Sequence, residues 1–158
     1  MIFLNSSPIL ALLLDTEEAD RCEDLLSGIE VGDVKAVTNS HVLEETAFKL
    51  IFAKASENLQ TKNVWVIREE LKNDRALRQE CSRTLDRFME YLRTLCLGGL
   101  RVVEVHEEDV YKMAEIFEET GLLTSDCLHV AVMRRLGLRR IATLDKDFRQ
   151  VKELSLLL

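Results

Sequence analysis

Short apolar runs that stop at turn residues, each followed by a stretch with apolar side chains every three or four positions, recur along the chain. That alternation most restricts its fold. Ile2 to Leu4 is stopped by Asn-Ser-Ser-Pro, and Pro8 suits the first turn of a helix running on to Leu14. Cys22, Leu25, Leu26 and Ile29 mark a second helix from about Glu18 to Ile29, ending near Gly32. Ala36 and Val37 make the next strand. Thr38, Asn39 and Ser40 then offer N-caps for a helix reaching about Ser56.

From about Val64 to Leu97 the pattern is mostly helical, with a break near Asn73 and a stop at Gly98 and Gly99. Arg101 to Val105 alternates like a strand, and Glu107 to Glu119 is a helix closed by Gly121. Thr124 or Ser125 caps a helix through Leu136, Ile141 to Thr143 is a strand, and Asp145 to Phe148 turns out of it. Strands separated by helices, with few hairpin signals, imply a mostly parallel sheet covered on both faces: a three-layer α/β/α domain over residues 1–158. Segment 55–97 is long enough to form a helical arm. In it Trp65, Val66 and Ile67 form an apolar knot that packs on the core or neighbouring helix, the alternative being a contact with a partner subunit.

Composition narrows the function classes. A net charge of −7 argues against a tight, indiscriminate nucleic-acid binder, although a local patch such as Arg134, Arg135, Arg139 and Arg140 can still steer phosphates. The four cysteines are widely spaced with no C-x-x-C pair, so buried free thiols are expected rather than a zinc or redox site. The opening apolar run, Ile9 to Leu14, lacks a basic leader and is too short for a membrane span, pointing to a cytoplasmic protein without a membrane partner.

In parallel sheets, chemistry gathers beyond the C-terminal ends of the strands. Asn5, the Thr38 to Glu44 turn and the Leu144 to Asp147 turn all follow strands and can meet at one edge. If the backbone stays extended after Thr143, Asp145 and Asp147 point to one side, about 6–7 Å apart, as for shared hard cations. For a lone D-x-D, a solvated Asp-rich turn is the plainer reading, because Asp is a favoured turn residue. Asp126 lies in a first helical turn, where capping would account for it. His129, three residues on, reads as a satisfied polar group. Glu45 precedes Lys49 by four residues like a solvent-facing pair, whereas Glu44 shares a face with Phe48 and Ile51 and so needs a partner. Several acids without a His triad, phosphate-binding glycine loop or cysteine nucleophile suggest oxygen-ligated Mg²⁺ or Mn²⁺ and phosphoryl transfer. An aspartyl-phosphate enzyme fits less well, because the only D-x-D follows the last of these strands.

In order and content, FLNSSPILALL, SHVLEETAFKL and SDCLHVAVMRRLGLRRIATLDKDF resemble the first strand and helix, the glutamate helix and the closing motif of the PIN domain family, especially VapC-type toxins. The resemblance implies a parallel sheet of four or five strands. It also implies Mg²⁺- or Mn²⁺-dependent hydrolysis of RNA, homodimers and, for VapC-type members, an inhibitory antitoxin. It carries the metal ligands onto Glu44, Asp126 and Asp145, with Asp147 as an accessory acid. Lys146, Arg134, Arg135, Ser6 and Thr143 are candidates for contacting substrate phosphate. Family members usually end the first strand in aspartate; here Asn5 stands there, which removes a charge from the site. The alternative is therefore a catalytically weakened PIN-like domain that binds RNA or supports assembly.

Overall fold

The computed structural model describes Met1–Leu158. Its centre is a five-stranded, fully parallel sheet in the order β3-β2-β1-β4-β5, formed by β1 (Ile2–Leu4), β2 (Ala36–Asn39), β3 (Leu100–Val103), β4 (Arg140–Ala142) and β5 (Ser155–Leu157). Seven helices connect and flank it. They are α1 (Ser6–Leu13), α2 (Ala19–Glu30), α3 (Ser40–Leu59), α4 (Val64–Asn73), α5 (Arg75–Gly98), α6 (Glu107–Thr120) and α7 (Thr124–Arg135). The three-layer α/β/α architecture is thus as the alternation of patterns indicates. No helix is long and apolar enough to cross a membrane.

Side chains alternate across the sheet and build two cores. Ile2, Leu4, Ala36 and Ala142 face Ile9, Leu26, Leu50, Phe88 and Leu95 from α1, α2, α3 and α5. Phe3, Val37 and Ile141 face Ile116, Val130, Val132 and Met133 from α6 and α7. Because β1 is flanked by β2 on one side and β4 on the other, the strand order reverses at β1. The crevice between the ends of β1 and β4 is the usual place for a site in such a sheet.

The long helical segment divides as its sequence suggests. Asp74 separates α4 from α5 and caps α5 by accepting from the amides of Ala76 (2.7 Å) and Leu77 (3.1 Å). The C-terminal half of α5 belongs to the main core, while Leu77 and Cys81 join Ala55 and Ile67 in a satellite cluster. Of the apolar knot only Ile67 packs inside. Trp65 is 74 % exposed, and the Arg68 guanidinium lies 5.6 Å from its ring centre. Gly98 ends α5 against α2 so closely that a Cβ there would stand 2.2 Å from the Glu30 carbonyl oxygen, so the two backbones meet because this residue has no side chain.

Locally the structure departs from the sequence pattern at four places. β3 begins at Leu100 and ends at Val103, as an edge strand whose Val102 is exposed. β5 has no counterpart in the sequence reading: its three residues carry too little pattern, and pairing to β4 alone defines it. Neither Thr124 nor Ser125 caps α7; Leu123 takes the cap position, with no side-chain hydrogen bond. Three of the cysteines are buried free thiols, but Cys96 is exposed.

Candidate active site

At the C-terminal edge of the sheet, Asn5, Ser6, Ser7, Glu45, Lys49, Asp126 and Asp145 line a cleft of about 300 Å³ together with the 123–125 segment. Asn5 ends β1 and caps α1, its Oδ1 accepting from the Ser6 amide at 2.8 Å. Its Nδ2 donates to Thr143 Oγ1 at 3.2 Å, tying the end of β1 to the end of β4. Thr143 Oγ1 also accepts from the Asp145 amide (3.1 Å) and lies 3.2 Å from Ser7 Oγ, which in turn accepts from the Leu144 amide (2.9 Å). This buried hydroxyl network sets the turn that carries Asp145. Ser7 was not singled out by sequence, since one serine of a Ser-Ser pair looks like the other.

After Thr143 the backbone does not stay extended. Asp145 caps a 3-10 turn (Lys146–Gln150), its Oδ1 accepting from the Asp147 amide at 2.9 Å. Asp145 therefore faces the cleft, whereas Asp147 and Lys146 are exposed and do not line it. Thr143 is wholly buried and occupied by the network, which removes it as a phosphate contact.

Helix α3 presents Glu45 to the cleft and leaves Glu44 exposed on its outer side, the reverse of the sequence reading. The helix has two apolar faces. Leu50 enters the core beneath α1, α2 and α5, Val42 the opposite core and Thr46 is buried between them in sequence, while Phe48, 51 % exposed, stacks on Phe52 beside the satellite cluster. Placing Glu44 with Phe48 and Ile51 thus aligned it with the wrong face. Glu45 forms an ion pair with Lys49 through Oε1, and its Oε2 lies 3.7 Å from His129 Nε2. The His129 imidazole, followed by the Lys49 ammonium, holds the Glu45 carboxyl down at about 2 against the opposing cost of burial.

Asp126 behaves in the opposite way. No capping or other protein hydrogen bond engages its half-buried carboxylate, so capping does not explain it. Burial, then the negative charges of Asp145 and Glu45, push its carboxyl up to about 6. A carboxylate held near other acids without a donor is suited to a cation. The donors here are oxygens, as hard divalent ions require. No three of the acidic, His or Cys side chains close on one point as they stand. That spacing is compatible with Mg²⁺, which commonly takes one or two carboxylates and keeps several waters.

The arginines expected near phosphate are elsewhere. Arg134 and Arg135 lie at the far end of α7, about 12 Å along the axis from Asp126. Arg134 is held by Glu119 and Glu153, and Arg135 by Asp109 (2.9 Å) and the Glu104 carbonyl (2.7 Å). Arg139 and Arg140 are exposed at the opposite end of β4 from the cleft. The cation in the cleft is Lys49, which its ordinary i,i+4 spacing from Glu45 concealed.

A parallel α/β sheet with carboxylates from three separate segments lining one cleft at its switch point defines the class: a three-layer domain with an acidic cleft. The PIN domain model matches residues 2–154, and the chain belongs to that family. It is 25 % identical over 150 residues to Ribonuclease VapC6 of Methanocaldococcus jannaschii, covering 95 % of this chain and 92 % of the relative. Among solved structures, the fold is similar to VapC20 of Mycobacterium tuberculosis, a sarcin-ricin loop cleaving toxin, with TM-score 0.61, 18 % identity and coverage of 96 % and 95 %. It is also similar to VapBC2 from Rickettsia felis bound to a DNA fragment from their promoter, with TM-score 0.57, 15 % identity and coverage of 99 % and 97 %. FitAcB from Neisseria gonorrhoeae is similar at TM-score 0.57 and 15 % identity, over 100 % of this chain and 97 % of the other.

Proposed function

We propose that this protein is a divalent-metal-dependent endoribonuclease of the toxin type, acting in the cytoplasm as a homodimer under the control of an antitoxin. The observation that carries the reading is Asp126: a half-buried carboxylate without a hydrogen bond, facing Glu45 and Asp145 across the cleft. The ribonuclease and toxin named among its relatives support RNA as the substrate class. The VapBC2 and FitAcB neighbours support a protein partner.

In this reading Asp126, Glu45 and the free oxygen of Asp145 hold Mg²⁺ or Mn²⁺. Bound there, the ion would supply the Lewis acidity that phosphodiester hydrolysis needs. Glu45, Asp126 and Asp145 against Lys49 leave a formal charge of −2 when all are ionised, which one divalent ion neutralises. Lys49 and Ser6 border the same cleft and can orient a phosphate that enters it. Asn5 keeps the strand ends together and offers only a neutral carbonyl oxygen. That neutrality favours a second reading, a weakened catalyst that binds RNA without turning it over.

Substituting the two adjacent glutamates separates the site from its neighbourhood. Glu45→Gln should lower Mn²⁺-dependent cleavage of a structured RNA by at least about a hundredfold, beyond the 10–100-fold typical of groups that merely support a ligand. Glu44→Gln should leave cleavage unchanged. A loss confined to Glu44→Gln would put the glutamate of the site on the other face of α3.

A further inference from the structure

His129 is buried and lies one helical turn beyond Asp126 on α7, yet its Nε2 has no hydrogen-bond partner. Its other nitrogen is engaged. Asn39 caps α3 by accepting from the Val42 amide through Oδ1 at 2.9 Å, which leaves its Nδ2 facing His129 Nδ1 at 3.3 Å. An amide nitrogen can only donate, so Nδ1 accepts and the ring proton of the neutral imidazole resides on Nε2. Phe3 and His41, each with its ring centre 5.7 Å away, flank the ring. The Nε2–H therefore looks toward Glu45 Oε2 at 3.7 Å, a gap that a small rotation of the flexible Glu45 side chain closes to hydrogen-bond length.

Taking Glu45 as a cation ligand, as in the reading above, we propose that His129 is its positioning residue: the Asn39–His129 relay directs an Nε2–H at Oε2 and leaves Oε1 free for the cation. Lys49 is paired with Oε1 and, with half its side chain exposed, is free to move aside. The relay joins the cap of α3 to the glutamate on its second turn, so helix start and ligand orientation are set by one contact. Partners of this kind, which orient a ligand without touching the metal, typically contribute 10–100-fold in affinity.

The test combines a metal-free measurement with a double-mutant cycle. ¹⁵N-histidine NMR of the metal-free protein should show His129 as the Nε2–H tautomer; the Nδ1–H tautomer would overturn the proposal. Mn²⁺ affinity, followed by water proton relaxation, should fall about 10–100-fold in His129→Leu. His129→Gln, which retains a donor, should recover most of that loss and keeps the test available if the leucine variant does not fold. In a Glu45→Gln background, removal of the imidazole should cost no further affinity. Equal losses in both backgrounds would reduce His129 to a packing role. A wild type without measurable Mn²⁺ affinity would instead overturn the reading of the cleft itself.

Discussion

Asp126→Asn should lower RNA cleavage by at least about a hundredfold, beyond the 10–100-fold of groups that only support a ligand, and should make the metal-free protein more stable above pH 6. Both effects arise from one carboxylate. In the folded protein it protonates at about 6, compared with the ordinary 3.8, because burial and the charges of Asp145 and Glu45 oppose its ionisation. Between those values the folded state binds more protons than the unfolded state, so this group's contribution to stability falls as pH rises and levels off above 6. The neutral amide escapes that loss. With allowance for solvent around a partly exposed group, the gain at pH 8 is about 1–2 kcal/mol. It should shrink toward zero near pH 4. Guanidinium unfolding in EDTA at pH 4.5 and pH 8 reads the stability change, and single-turnover cleavage reads the activity. A pH-independent stability difference would mean that the acids of the cleft do not oppose one another. Unchanged cleavage would remove Asp126 from the site.

Asn5→Asp should act in the opposite direction. Aspartate restores a charge at the end of β1, directly on the cleft, and ligand charge is a principal control of divalent-ion affinity. Mn²⁺ binding should tighten by about tenfold, equivalent to roughly 1.4 kcal/mol. The cost falls on the metal-free fold. Position 5 is only 4 % exposed, and its Nδ2 now donates to Thr143, a bond that a carboxylate cannot donate. The Thr143 hydroxyl must turn to donate in return, and the buried charge should lower stability in EDTA by about 1–3 kcal/mol. Calorimetric titration with Mn²⁺ and cleavage assays on both proteins separate the two readings. Tighter binding with a large rise in cleavage identifies the natural chain as a weakened catalyst, whereas tighter binding with unchanged cleavage identifies a site already sufficient with Asn5. Unchanged affinity would show that position 5 lies outside the cation's reach.

Sequence patterns report periodicity and punctuation, and the elements defined by those signals were legible. The strand-helix alternation, Asn39 at the cap of α3, the break before α5 and the closing of α6 at Gly121 all appear in the structure. Family-like motifs directed attention to Asp126 and Asp145, which do face one cleft. What failed was orientation. Two adjacent glutamates on a helix differ by about 100°, and α3 has one apolar face toward the main core and another toward the satellite cluster. Apolar neighbours therefore did not identify the face turned to the sheet edge. Arg134 and Arg135 looked like a phosphate patch because their partners, Glu119, Glu153 and Asp109, come from distant segments. The Asn5–Thr143–Ser7 network spans more than 130 positions, a separation over which a single sequence carries no pairing signal.

A divalent ion held by Asp126 and a second carboxylate of the cleft is the central expectation. Anomalous diffraction from a crystal soaked in Mn²⁺ measures this directly. It should give a peak in the cleft within coordination distance of Asp126, with Glu45 or Asp145 as a second ligand and Glu44 remote. A crystal that shows no peak there at saturating Mn²⁺, or an ion bound elsewhere with Asp126 unengaged, would contradict it.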